Sequence, residues 1–245
     1  MGQMKTARLR GLEVLLLATF VAAAAGAQQS GEDGSPPKDV LSRRLPEASL
    51  KGVTIARAFW HVLNSAGLPG GIVSIEGRPE EERMDLTISD GATLRQALDQ
   101  IVSRSRGLAW KMEGGVVDLF PPSATASMQM LNVRIAAFDF PDASNVYLAA
   151  QELAELPEVK REARALGFVP TPVSGGLTGV YYGPGQKRPP PIPVHLRNVT
   201  LLQALNALMR ARGEANLWLY KEGSWSSDGR TVRGFDVTLG FAPPG

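Results

Sequence analysis

The chain contains no cysteine. That excludes disulfides, thiolate metal centres, a cysteine nucleophile and a lipid-modified N-terminal cysteine. Histidine is almost as scarce, with 2 in 245 residues, His61 and His195. The two stand far apart in the chain, so histidine-based metal or acid–base centres are hard to assemble. The sequence has no G-x-S-x-G, no Walker loop and no dinucleotide fingerprint. Gly175-Gly176-Leu177-Thr178-Gly179 is glycine-rich, but it lies in a proline-rich stretch rather than between a strand and a helix. Charged residues make up 20% and hydrophobic ones 44%, which fits neither a disordered polymer nor a multi-span membrane protein.

What is present begins with an address. Lys5, Arg8 and Arg10 precede an apolar run from Leu12 to Ala25, and Ala25-Gly26-Ala27 follows. A basic start, a short apolar core and an A-x-A end describe a secretory signal peptide, cleaved after Ala27. The run is shorter than the ~20 residues that cross a bilayer, so no stable membrane insertion is expected after cleavage. The formal net charge of +2 resides in this segment, which also takes Glu13 with it. The mature chain is then balanced, and nucleic-acid binding loses its support. A periplasmic or secreted protein is expected. Residues 28–44, including Gln28 to Lys38, are polar and Gly/Pro/Ser-rich, which predicts a flexible lead.

Three later segments share one pattern. Thr54-Ile55-Ala56-Arg57-Ala58-Phe59 runs to Gly67-Leu68, Thr93-Leu94-Arg95-Gln96-Ala97-Leu98 to Gly107-Leu108, and Thr200-Leu201-Leu202-Gln203-Ala204-Leu205 to Gly213. Thr93 and Thr200 each stand three residues before a glutamine, the spacing of a capping box. Ile55, Ala58, Phe59 and Val62 fall on one helical face, as do Leu94, Ala97, Leu98 and Ile101, and Leu201, Ala204, Leu205 and Leu208. A glycine closes each helix. Strands flank them: Asp85 to Ile88 and Val194 to Arg197, which alternate, and Gly71 to Ile75, Leu108 to Met112, Val116 to Phe120, Leu217 to Tyr220 and Phe235 to Leu239.

The fold class expected is α+β: two tandem small modules of β-α-β-β-α-β type, with helices on small mixed sheets. The first covers residues 45–120, residues 121–129 form a linker, and the second covers 130–241. The second opens with an alternating strand from Leu131 to Phe140. Its weaker helix starts near Asn145, with Val146, Ala149, Ala150 and Leu153 inward. It carries a long insertion, residues 157–193, which begins with a short helix from Pro157 to Leu166.

The alternating strand, T-L-x-x-A-L helix, G-L, strand, Gly turn and strand of Leu86 to Phe120 resemble the small secretin and TonB N-terminus domain. Leu86-Thr87-Ile88, Thr93-Leu94, Ala97-Leu98, Gly107-Leu108, Trp110 and Val116 to Leu119 carry the likeness, and residues 194–223 echo it. The resemblance implies no catalysis, and docking to other proteins by faces or strand edges. No barrel follows before Gly245, so a free-standing module is expected rather than a channel or receptor.

Candidate sites are few. His61 and His195 read as surface or partly buried side chains without a catalytic companion, His195 facing outward from its strand. Glu80-Glu81-Glu82 lacks calcium-loop spacing and reads as a solvated turn. Asn198-Val199-Thr200 has the form of a glycosylation sequon, but its threonine is better used as a helix cap. Within the insertion, Tyr181, Tyr182 and the run from Lys187 to Pro193, with Pro190 and Pro193, offer pre-extended apolar contact to a protein partner. Trp218, Tyr220 and Trp225 form the other candidate set. Trp218 and Tyr220 share one strand face opposite Leu217 and Leu219, and one of these pairs is expected in the core. An outward aromatic pair would instead stack on a sugar ring, making a carbohydrate- or cell-wall-binding protein the alternative. The primary expectation is a non-enzymatic protein-interaction module of the cell envelope, using no cofactor and no metal.

Overall fold

The computed structural model describes residues 40–75, 79–105, 107–122, 127–143, 145–170, 191–212, 216–227 and 230–241. The proposed signal peptide, Tyr181, Tyr182 and Pro190 lie outside the described residues. The fold is α+β. The first half runs β1 (Ala48–Thr54), α1 (Ile55–Ala66), β2 (Gly70–Ser74), β3 (Arg83–Ile88), α2 (Leu94–Arg104), β4 (Ala109–Glu113) and β5 (Val116–Phe120). The second runs β6 (Arg134–Phe140), α3 (Val146–Glu155), α4 (Pro157–Ala165), β7 (Phe168–Pro170), β8 (Val194–Thr200), α5 (Leu201–Arg212), β9 (Leu217–Ser227) and β10 (Arg230–Phe241).

The helices start where their caps dictate. Thr93 Oγ1 accepts from Gln96 N at 3.2 Å, and Gln96 Oε1 accepts from Thr93 N at 2.8 Å. Thr200 and Gln203 make the same reciprocal pair, at 3.1 and 2.9 Å. Thr54 Oγ1 accepts from Arg57 N, and Asn145 Oδ1 from Leu148 N, both at 3.2 Å. Neighbouring segments satisfy other orphan amides of the first turns. Leu94 N donates to Arg43 O at 2.9 Å and Arg95 N to Leu41 O at 3.1 Å. Val40 to Arg44, expected as part of a flexible lead, are therefore stitched to the start of α2.

Strand pairing repeats between the halves. β1 pairs antiparallel with β3, and β6 with β8, each as a two-stranded ribbon. β2 runs parallel to β5, which pairs antiparallel with β4 across a turn at Gly114 and Gly115. The φ values of these glycines, 57° and 81°, suit a primed hairpin turn. In the second half β7 runs parallel to β10, which pairs antiparallel with β9.

The two sets of strands do not form separate small sheets. β2 pairs in parallel with β9 from Gly70↔Leu217 to Ser74↔Lys221, giving one six-stranded sheet in the order β4-β5-β2-β9-β10-β7. Alternate residues of its central strands enter different cores. Ile72, Val117, Leu119, Leu217 and Leu219 pack with α1 and α2. Val73, Trp218, Tyr220, Phe235, Val237 and Leu239 pack with α3, α4 and α5. With both faces covered, all five residues of β2 are buried, as a strand between two helical layers requires.

Boundaries differ from expectation in several places, with β9 running on past Tyr220 to Ser227 and β10 starting at Arg230 rather than Phe235. Leu131-Asn132 belong to a 3-10 turn, Ser127–Asn132, because the chain closes on itself through Val133 N to Met130 O at 3.1 Å. The stretch expected as an insertion begins as part of the fold. Val159 and Ala163 of α4 are fully buried, and β7 joins the sheet edge.

Candidate functional site

The aromatic candidates separate cleanly. Trp218 and Tyr220 are each 0% exposed. Both pairs along β9 are core, because the sheet is covered on both sides, so neither aromatic offers a stacking platform to a sugar. Trp225 lies on β9, and its side chain is outside the described set. Pro193 is exposed and leads into β8, while Ile192 is pinned beside it. Ile192 N donates to Asp142 Oδ1 at 3.3 Å, and its carbonyl accepts from Ala143 N at 2.8 Å. The end of the proline-rich run is thus held against the start of the second half.

The ribbon it leads into carries an organised polar surface. Asp139 on β6 and His195 on β8 are register partners. Asp139 Oδ1 lies 2.8 Å from His195 Nδ1, and Arg197 reaches both Asp139 oxygens at 2.8 Å from Nη1 and Nη2. This is a fork-on-fork guanidinium–carboxylate pair with an imidazole beside it. All three are exposed. The Arg197 and His195 hydrogen bonds hold the Asp139 carboxyl below its ordinary range. No local pattern in the sequence announced this cluster. It arises because β6 and β8, far apart in the chain, become neighbours in register.

His61 is half-buried on α1. Glu80, expected on a solvated turn, is 3% exposed and accepts from Ser74 Oγ at 2.5 Å. Burial raises its pKa, and among the described residues its Oε2 has no hydrogen-bond partner. Glu81 and Glu82 do face solvent. A polar surface hollow of about 410 Å³ lies between β6 and α4, lined by Arg134, Glu158, Arg161 and Glu162 among others. Two cations and two anions balance there, and Glu158 Oε1 already accepts from Ala136 N at 3.1 Å.

Beneath the sheet surface sits a second polar group. Asp118 on β5 is 1% exposed. Its Oδ2 accepts from Asn206 Nδ2 of α5 at 3.1 Å, and Asn206 Oδ1 accepts from the Trp218 indole N–H at 2.7 Å. The set joins both halves of the chain. Among the described residues no cluster of His, Asp and Glu could hold a metal ion, and no helix is long and apolar enough to cross a membrane. Compared with protein-family models, curated proteins and solved structures, the chain matches none of them.

Proposed function

We propose that the chain is an exported, non-enzymatic protein-interaction module of the bacterial cell envelope, docking a partner through its second half. The observation that carries this reading is the β6–β8 ribbon. It presents Asp139, His195 and Arg197 on an exposed surface, already oriented by their mutual hydrogen bonds. Exposed strands recognise partners through main-chain pairing and flanking side chains. A pre-organised charged surface supplies orientation and specificity more than raw affinity. The exposed Pro193 continues directly into the same ribbon. The signal-like N-terminus supports export, and the resemblance of Leu86 to Phe120 and of residues 194–223 to secretin and TonB N-terminus domains supports an envelope partner protein.

The test is affinity capture from envelope extract with wild-type protein, Arg197→Glu and, as control, Lys51→Glu on β1. A partner retained by wild type and the control but lost by Arg197→Glu supports the reading. Equal retention by Arg197→Glu moves the docking surface away from β6–β8. N-terminal sequencing of the mature protein should begin at Gln28, and an intact Met1 would refute export by this route.

A further inference from the structure

The buried set around Asp118 is built unlike an ordinary structural carboxylate. An ionised carboxylate offers about four acceptor positions. Asp118 is buried, and among the described residues it has a single donor, the Asn206 amide, while its Oδ1 has no hydrogen-bond partner. Two charges act on it from β4 in opposite directions, Lys111 favouring the ionised carboxylate and Glu113 disfavouring it. Lys111, its register partner on β4, is partly exposed and pairs with Glu113 at 3.4 Å. Arg210 of α5 donates to the Gly114 carbonyl at 3.0 Å. Further along β9, Tyr220 donates to Glu222. On β2 the row continues through Gly71, which has no side chain and is filled by Trp218. The site therefore offers a carboxylate little compensation for lost water.

We propose that Asp118 is a pH-responsive joint between the two halves, neutral in the tight state and charged in a looser one. The contacts in question are those among β5 of the first half and α5 and β9 of the second, passed on through Asn206 to the Trp218 indole. Burial pushes the Asp118 carboxyl up to about 7, the Asn206 bond opposing the rise. Its ordinary value is 3.8. Between these values the folded chain holds a proton that the unfolded chain has released. Stability from this group therefore falls as pH rises from about 4 towards about 7, and is level above that. Acidification through neutrality tightens the joint, and alkalinisation loosens it.

The experiment is a pH titration of the intact protein, following indole N–H resonances by NMR. The Trp218 signal is assigned through Trp218→Phe. Asp118→Asn, which keeps the shape and cannot ionise, is titrated in parallel. The Trp218 indole signal is expected to shift with one inflection between about pH 6 and pH 8, and that inflection to vanish in Asp118→Asn. Glu80 and Glu222 are also buried carboxylates pushed upward, and the comparison separates them from Asp118. A Trp218 signal that stays constant over this range in the wild type overturns the proposal, whether or not the variant folds. The same inflection persisting in folded Asp118→Asn overturns it as well.

Discussion

The indole of Trp218 lies in the space that a side chain at Gly71 would occupy. The two residues are register partners on β2 and β9, the strands that join the halves into one sheet. A Cβ at Gly71 would collide with the indole ring. Both groups are walled in by the core, so neither yields easily. Gly71→Ala is expected to cost about 1–3 kcal/mol, the usual loss from overpacking. Trp218→Phe removes the donor to buried Asn206 Oδ1 and is expected to cost about 1–3 kcal/mol for the unpaired acceptor. Urea unfolding midpoints at fixed pH measure both. A Gly71→Ala variant as stable as wild type would contradict the joint described here.

The capping boxes are testable separately. Thr93→Ala and Thr200→Ala should each cost about 1 kcal/mol, the usual loss of an N-cap. Thr→Ser at either site should restore most of the loss, because the hydroxyl is retained. Thermal melting measures both changes.

These caps explain which parts of the fold were legible in the sequence. A capping threonine, a glutamine three residues on and an apolar stripe are all local, and each reads as a helix start without knowledge of tertiary partners. Strand pairing is not local. In Leu217-Trp218-Leu219-Tyr220 one of the two alternate pairs is expected in the core, yet all four residues are buried. The better signal was the unbroken apolar run, which marks a strand covered on both faces. The sequence of β1 shows no clean alternation, because Gly52 interrupts its pattern. Aligning Ala48-Ser49-Leu50-Lys51-Gly52-Val53-Thr54 with Val194-His195-Leu196-Arg197-Asn198-Val199-Thr200 exposes it. The Asp139–His195–Arg197 cluster had no such signal, since its members come from strands separated by two helices and β7.

Gly52 and Asn198 both take positive φ, 60° and 52°, two residues before a capping threonine. Each carbonyl accepts from an arginine of the paired strand, Arg83 at 2.5 Å and Arg134 at 3.3 Å. Among the described residues nothing crowds a Cβ at Gly52, so substitution there is expected to cost backbone energy. Gly52→Ala and Asn198→Ala should each lose about 1 kcal/mol. Asn198→Gly should stay within about 0.5 kcal/mol of wild type. Chemical denaturation curves decide, and a Gly52→Ala variant matching wild type would refute the shared turn.

Glu80 should behave as a buried acid. Its pKa is raised mainly by desolvation, so its contribution to stability falls as pH rises above the ordinary carboxylate range. Glu80→Gln keeps an acceptor for Ser74 Oγ and removes the charge. The variant is expected to equal or exceed wild type at pH 8 and to lose that advantage at pH 4. Midpoints at the two pH values measure it. An advantage that grows on acidification would reverse the sign and refute the assignment.

The proposed docking surface is tested most directly by site-specific photocrosslinking in the producing cell, with the crosslinker at position 195 on β8 or at position 51 on β1. Position 195 is predicted to give a discrete protein adduct in the envelope fraction, weakened at least tenfold by Arg197→Glu, while position 51 gives none of that mass. No adduct at position 195, or the same adduct at both positions, would contradict docking through the β6–β8 ribbon.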